Sequence, residues 1–356
     1  MHKYLIMNKK NNMIIMRRLL FLLLICYVCV FAVATPNTEH LDLWTAHRAC
    51  DISDYYVTKA ETMTHQDGTL CVNHEQPLTV NALESGSVAN GSIVAVTSHV
   101  FRYFIENWHP LFREHALVYT LVTFDTDISI TNAMGLQQGN EALRRGHMQQ
   151  WFAVNPSSDF VRNDDMRSRR HAFPLGLPKY DEAVAAFAAA RVHLRAAPGR
   201  ADVPLPAKKH LLAISFSPAE NEERRRIHTY YCHNDHVLNA SCQIGLSRAD
   251  YYHFIASAKF VISPRGVGID CYRTYESLAL GTIPIVRRGV LESVYANLPV
   301  LFVDDFERDL TVSKLQDIWT QYAQNATTRS RKWQWARLET RYWKNRFRNV
   351  SAISVY

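Results

Sequence analysis

Residues 263–286, SPRGVGIDCYRTYESLALGTIPIV, gather the side chains best suited to chemistry. Arg265, Gly266, Gly268 and Asp270 fall within six positions, and Arg273 and Glu276 follow one helical turn apart. Apolar runs flank them on both sides, so the stretch reads as strand, loop, helix, strand. Glycines at 266 and 268 let the backbone bend and come close to a ligand. A helix opening near Asp270 turns its N–H groups and positive dipole end toward an anion. Arg265 and Arg273 can add charge-assisted bonds, each worth roughly 1.5–3 kcal/mol. Glu276 shares the face of Arg273. A carboxylate there accepts hydrogen bonds and repels phosphate, so it suits sugar hydroxyls. Diphosphate at the helix tip and a ribose diol one turn further is the layout of a bound nucleotide sugar. The plain structural reading of the same residues is a tight turn followed by an Arg273–Glu276 pair, worth only ~0.2–0.5 kcal/mol.

Other phosphate-binding and hydrolytic patterns fit less well. The third glycine of G-x-G-x-x-G is replaced by Cys271, and the segment comes late in its half, which argues against a dinucleotide fingerprint. There is no G-K-[ST], so an NTPase-type loop is excluded. No G-x-S-x-G or D-x-D-x-[TV] arrangement offers a hydrolase nucleophile.

The elements around this stretch alternate. In the first half, residues 91–100 and 115–124 read as strands, 101–112 and 140–151 as helices, and QWFAVN (150–155) as another strand. Residues 171–180 form a Pro/Gly-punctuated connection, 180–197 an Ala-rich helix, and 198–209 a proline-containing linker. The second half then alternates: strand 210–217, helix 248–258, strand 259–265, strand 282–288, helix 290–298, strand 299–305 and helix 311–323. Nearly all-apolar strands separated by helices mean parallel sheets covered on both faces. The tail 329–348 carries Trp333, Trp335, Leu338, Tyr342 and Trp343 among eight Lys/Arg, and reads as a helix whose aromatic stripe packs on the body.

The chain of 356 residues has a net charge of +7. Five of its basic residues lie in positions 1–34, which contain no acid; the remainder holds 35 basic against 33 acidic residues. A nearly neutral body lacks the broad basic face of a nucleic-acid binder. Residues 19–34 are uncharged, 16 in a row after Arg17-Arg18, and end in Ala-Val-Ala. This reads as a cleaved signal or a short type II signal anchor, and either one places the body in the secretory pathway. Seven cysteines accord with that compartment: Cys50–Cys71 and Cys232–Cys242 are expected disulfides in an oxidising lumen. His233 and His236 between Cys232 and Cys242 raise zinc as an alternative, although the spacing matches no familiar knuckle. Sequons stand at Asn90, Asn239, Asn325 and Asn349.

The run KFVISPRGVGIDCYRTYESLALGTIPIVRRGVLESVYANLPVLFVDDFERDLT resembles the C-terminal donor-binding domain of exostosin-like (GT47-type) glycosyltransferases, and more closely a branch of that family found in algae, protists and large viruses. The resemblance extends more loosely over residues 90–320, through SIVAVTSHVFRYFIENWHPLF, WFAVNP, HAFPLGL and AISFSPAENEERRRI. It implies an α/β, GT-B-like fold: two Rossmann-like domains with parallel sheets facing across a cleft. The domains would be 1–34 (signal or anchor), 35–205 (acceptor side), 206–328 (nucleotide-sugar binding) and 329–356 (basic aromatic helix).

The same resemblance implies transfer of a sugar from a nucleoside-diphosphate donor to a glycan or glycoprotein hydroxyl, on a Golgi membrane or in the lumen, with no metal or other cofactor. Arg265, Gly266, Gly268, Asp270, Arg273 and Glu276 match the donor-site pattern, and Arg224 or Arg225 would add a diphosphate contact. Helix dipole and arginines then stabilise the leaving group. A base for the acceptor hydroxyl is expected from the first domain, where His99, Asp125 and Asp127 follow strands. Asp125 and Asp127 also form the D-x-D of a metal-dependent GT-A transferase, an alternative that leaves the second-half anion loop unexplained. A third reading is an inactive, glycan-binding scaffold of the same family.

Overall fold

The structure is a computed structural model. It describes residues 53–57, 78–124, 127, 129–178, 208–233, 237–324 and 333–348. The leader, Cys50–Cys71, the helix expected over 180–197, most of the linker, Asp125, His236, Asn325 and Asn349 lie outside the described residues. Among the described residues no helix is long and apolar enough to cross a membrane.

The expected class is the observed one: an α/β chain with two sheets, each of five parallel strands. The first sheet takes its described strands in chain order: β1 (Tyr55–Val57), β2 (Ser92–Thr97), β3 (Tyr119–Phe124), β4 (Met148–Ala153) and β5 (Arg170–Ala172). The second contains β6 (His210–Ile214), β7 (Ala240–Cys242), β8 (Ala258–Ile262), β9 (Ile283–Arg287) and β10 (Leu301–Val303), in the spatial order β10-β9-β8-β6-β7. The order therefore reverses between β6 and β8. SIVAVT in β2 and YTLVTF in β3 are buried throughout, as strands covered on both faces must be.

The helices, in chain order, begin with α1 (Val80–Glu84). Next comes α2 (101–114), which contains a π-helical turn at Phe104–Trp108. The rest are α3 (Leu136–Arg144), α4 (Glu222–Cys232), α5 (Arg248–Ala256), α6 (Tyr272–Ala279), α7 (Glu292–Tyr295), α8 (Val312–Gln324) and α9 (Thr340–Arg348).

Two expectations need correction. Residues 140–151 are not one helix: α3 ends at Arg144, and Met148–Trp151 already belong to β4. Pairing with β3 decides this, because it buries Trp151 and lets its Nε1 donate to Thr123 Oγ1 at 3.1 Å. The tail is not one helix either. A 3₁₀ turn (Trp335–Leu338) is separated from α9 by an extended Glu339. Its aromatic stripe does pack on the body. Trp343 and Phe347 lie against Phe173 and Phe152 of the first half.

That packing completes a core shared by both halves. Ile93, Val122, Phe152 and Phe173 from the first half meet Tyr275, Leu278, Val294 and Tyr295 from the second, with Leu338, Trp343 and Phe347 of the tail closing the cluster. The relative placement of the halves is thus fixed by apolar burial as well as by the polar junction described below.

Cys232 and Cys242 form the expected disulfide, tying the end of α4 to β7. The sulfurs are thereby taken out of metal ligation, and among the described residues no cluster of His, Cys, Asp and Glu could hold an ion. The bridge closes a loop with a sequence separation of 10. Replacing both cysteines with serine should lower stability by about 2–3 kcal/mol on the loop-closure estimate, read as a lower urea midpoint. An unchanged midpoint would show that the bridge constrains nothing.

Two histidines of the first half make its stability acid-sensitive. Burial, reinforced by His147, Arg113 and Arg145, holds His109 down at about 4. Burial beside Arg346 and Arg167 does the same to His171, also at about 4. The unfolded chain would protonate both near pH ~6.5. It therefore binds more protons than the folded chain between roughly pH 6.5 and 4, and stability falls as pH drops through that window. Urea midpoints measured down this range should decrease; a flat profile would contradict the assignment.

Candidate functional site

The reversal between β6 and β8 is where open parallel sheets bind ligands, in the crevice beyond the strands' carboxyl ends. A pocket of about 620 Å³ opens there. Its walls come from the loops after three adjacent strands. Ser215, Phe216 and Ser217 follow β6, Ile244, Gly245 and Leu246 follow β7, and the segment from Cys271 follows β8. Arg224 of α4 and Arg248 and Tyr251 of α5 close the sides.

Helix α6 carries the polar floor. It is buried along nearly its whole length, and each face meets a different neighbour. Tyr275 and Leu278 enter the core shared by the halves, and Ala279 enters the apolar cluster under α5. The face left over presents Arg273 and Glu276 to the pocket. At the far end, Gly281 (φ 71°) turns the chain, with Thr282 N–H bonded to Ser277 O and Gly281 N–H to Leu278 O. This left-handed cap stops the helix before β9.

The two pocket arginines are pre-positioned. Arg273 donates through Nε to the Ser215 carbonyl at 3.0 Å, and Arg224 donates through Nε to the Arg265 carbonyl at 2.8 Å. Both guanidinium groups lie over the Phe216 ring, at 5.3 and 5.7 Å from its centre, where cation–π attraction favours them. Cys271 Sγ lies between them, 3.4 Å from Arg273 Nη1 and 4.0 Å from Arg224 Nη2. Holding two cations side by side costs Coulomb energy in a buried site. A bound dianion would relieve it.

Glu276 is only 3% exposed and accepts from two phenols: Tyr251 at Oε2, 2.8 Å, and Tyr252 at Oε1, 3.0 Å. Burial pushes its carboxyl up, opposed by the Tyr251 hydroxyl, Arg273, the Tyr252 hydroxyl and Arg248. Tyr251 also lies near Arg273, so one phenol neighbours both charges of α6.

Of the residues singled out in the sequence, Arg224, Arg273 and Glu276 line this pocket together. The others are placed elsewhere. Arg265 is exposed and contributes its carbonyl, which accepts from Asn221 and Arg224. Arg225 points outward and pairs with Glu222. Gly266 packs beside Arg224, whose Nη2 would lie 3.2 Å from a Cβ. Gly268 allows a close approach of another kind: a Cβ there would lie 2.7 Å from Asn155 Nδ2.

Asp270 belongs to the junction between the halves, not to the pocket wall. Its carboxylate is 3% exposed and accepts from Leu175 N–H (2.9 Å), Cys271 N–H (2.7 Å), Tyr275 (2.6 Å) and Tyr295. Its own N–H donates to Asn155 Oδ1 at 2.7 Å. Asn155 and Leu175 follow β4 and β5, so the first half grips the loop that opens α6.

Of the base candidates, His99 and Asp127 are absent from the pocket wall. His99 is exposed in a turn after β2, Asp127 is exposed after β3, and Asp125 is outside the described residues. Sequence reasoning missed Ser215, Phe216, Arg248, Tyr251 and Tyr252. Ser215 and Phe216 fall inside the strand expected over 210–217, whereas β6 ends at Ile214 and leaves them in the loop at the reversal. Tyr251 and Tyr252 carried no local signal, because adjacent aromatics in a helix read as core.

No family model matches the chain, and no curated protein matches it. Among the solved structures that it resembles, two overlap it in part. The GtfA/B complex does so with a TM-score of 0.38 at 11% identity, over 76% of this chain; the chain spans about 60% of the length of the chain it matches there. AviGT4, a glycosyltransferase involved in avilamycin A biosynthesis, does so with a TM-score of 0.25 at 15% identity, over 69% of this chain and 89% of that one.

Proposed function

We propose that the chain is a glycosyltransferase that binds a nucleoside-diphosphate sugar in the second-half pocket and passes the sugar to a glycan or glycoprotein hydroxyl. One observation carries this reading. Two buried arginines and an acceptor carboxylate converge at the strand-order reversal of a parallel sheet. Arg224 and Arg273 suit a diphosphate, which they would hold and, as it leaves, stabilise without a metal. Glu276 suits a ribose diol. The resemblance of residues 259–311 to exostosin-like transferases supports the same chemistry, and the apolar leader supports a place in the secretory pathway, as a Golgi signal anchor or a lumenal protein. The acceptor base is proposed from the first half, where His99 and Asp127 follow β2 and β3.

Thermal-shift screening against UDP, GDP, CMP and their sugars tests the reading. A ligand at a hundredfold excess over Kd should add ~2.7 kcal/mol of stability. Stabilisation by one nucleotide, with matching sugar release that Glu276→Ala abolishes, is the expected result. No stabilisation by any of them would remove the donor-site assignment. Retained glycan binding without turnover would favour the inactive scaffold.

A further inference from the structure

The Glu276 carboxylate is held in an unusual way for a buried acid. Its two oxygens receive one phenol each, from adjacent residues of a neighbouring helix. Tyr251 stands at the pocket wall, whereas Tyr252 is fully buried behind it. Two consecutive helical residues point about 100° apart, so both reach one carboxylate only because α5 and α6 pack closely. The groups that face Glu276 are Arg273 on its own helix and Arg248, Tyr251 and Tyr252 on α5. Burial beside the carboxylate pushes both phenols up, so they remain donors. A carboxylate oxygen has two acceptor positions. One hydroxyl on each oxygen therefore leaves one position on each oxygen for a ligand, and fixes the plane in which those positions lie.

We propose that Tyr251 and Tyr252 are positioning residues that aim Glu276 as a paired acceptor, so that the pocket selects ribonucleotides over their 2′-deoxy counterparts. The selection rests on the reading of this pocket as a nucleotide site. A vicinal diol presents two donors at the spacing of two carboxylate oxygens. A 2′-deoxy sugar presents one, and leaves the second acceptor buried and without a donor, a loss that costs more than the bond itself gains. Tyr252 stands behind the carboxylate and does not line the pocket, so its route to a ligand is its hydrogen bond to Glu276.

Calorimetric titration of the full-length chain tests this. The probes are UDP and 2′-deoxy-UDP, GDP and 2′-deoxy-GDP, and inorganic pyrophosphate. The proteins are the unaltered chain, Tyr252→Phe, Tyr251→Phe and Glu276→Gln. For whichever base binds, the ribo form should be preferred roughly tenfold or more. Tyr252→Phe should shrink that preference severalfold, while pyrophosphate binds as before, since a carboxylate set at the wrong angle harms only the sugar end. The preference should also fade at a higher pH in Tyr252→Phe than in the unaltered chain, because the carboxylate has lost a hydrogen-bond donor.

A purely structural tyrosine would not move that pH profile. Tyr251→Phe, at the pocket wall, gives the same reading should Tyr252→Phe fail to fold. Equal binding of ribo and deoxy forms by the unaltered chain overturns the proposal while leaving the nucleotide site standing. So does a full preference retained in both phenylalanine variants and lost in Glu276→Gln. Failure of every nucleotide and of pyrophosphate to bind overturns the reading of the pocket, and the proposal with it.

Discussion

Arg273→Ala should weaken binding of a nucleoside diphosphate by about 10- to 100-fold while the chain stays folded. The estimate follows from one charge-assisted contact to phosphate, about 1.5–3 kcal/mol. The same loss should appear with pyrophosphate alone, because the guanidinium acts on the phosphates. Arg273→Lys should recover only part of it: an ammonium keeps the charge but cannot reach the Ser215 carbonyl and a phosphate with one planar fork. Arg224→Ala should behave similarly, since both arginines stand over Phe216. Arg225→Ala, one residue further along α4, should change nothing, because its partner is the exposed Glu222. Titration of the four variants with pyrophosphate checks the set. Equal losses at Arg224 and Arg225 would mean that diffuse charge, and not the pocket, attracts the anion.

The second large effect concerns stability. Asp270→Asn should cost roughly 2–5 kcal/mol, seen as a Tm lowered by on the order of 5–10 °C. All four of its partners are donors: Leu175 N–H, Cys271 N–H, and the hydroxyls of Tyr275 and Tyr295. An amide replaces one acceptor oxygen with an NH2, so donors then face donors in a dry site. Because the same loop opens α6, ligand affinity should fall as well, through misplacement of Arg273. Asn155→Ala removes the other half of the grip, the bond to the Asp270 N–H, and should weaken the junction in the same direction with a smaller loss. A calorimetric scan of the two variants would separate this account from one in which Asp270 touches ligand. In that case affinity would fall and Tm would not.

The contrast between Arg273 and Asp270 shows what was legible in the sequence and what was not. Local pattern sufficed for β2, β3, β6, β8 and β9, because their apolar runs are too continuous to be anything but strands buried on both faces. It also sufficed to put Arg273 and Glu276 on one helical face, since i and i+3 always share one. Nothing local reveals that Asp270 turns toward the first half. That depends on Asn155 and Leu175, 115 and 95 residues away. Arg224 and Arg225 were equivalent in EERRR, and only the packing of α4 on the sheet buries one and exposes the other. The 140–151 helix failed for the same reason. QWFAVN reads as a strand, but Met148 and Gln149 before it have no strand signal until β3 is available to pair with them. Strand order, which puts the reversal between β6 and β8 and so locates the pocket, is a property of the assembled sheet.

The most direct test is a crystal structure of the chain with the nucleoside diphosphate that stabilises it most. The account predicts phosphate oxygens within hydrogen-bond distance of Arg224 and Arg273, and ribose hydroxyls on Glu276. A nucleotide bound elsewhere, with these three side chains still engaged only with Ser215, Arg265, Tyr251 and Tyr252, would contradict it.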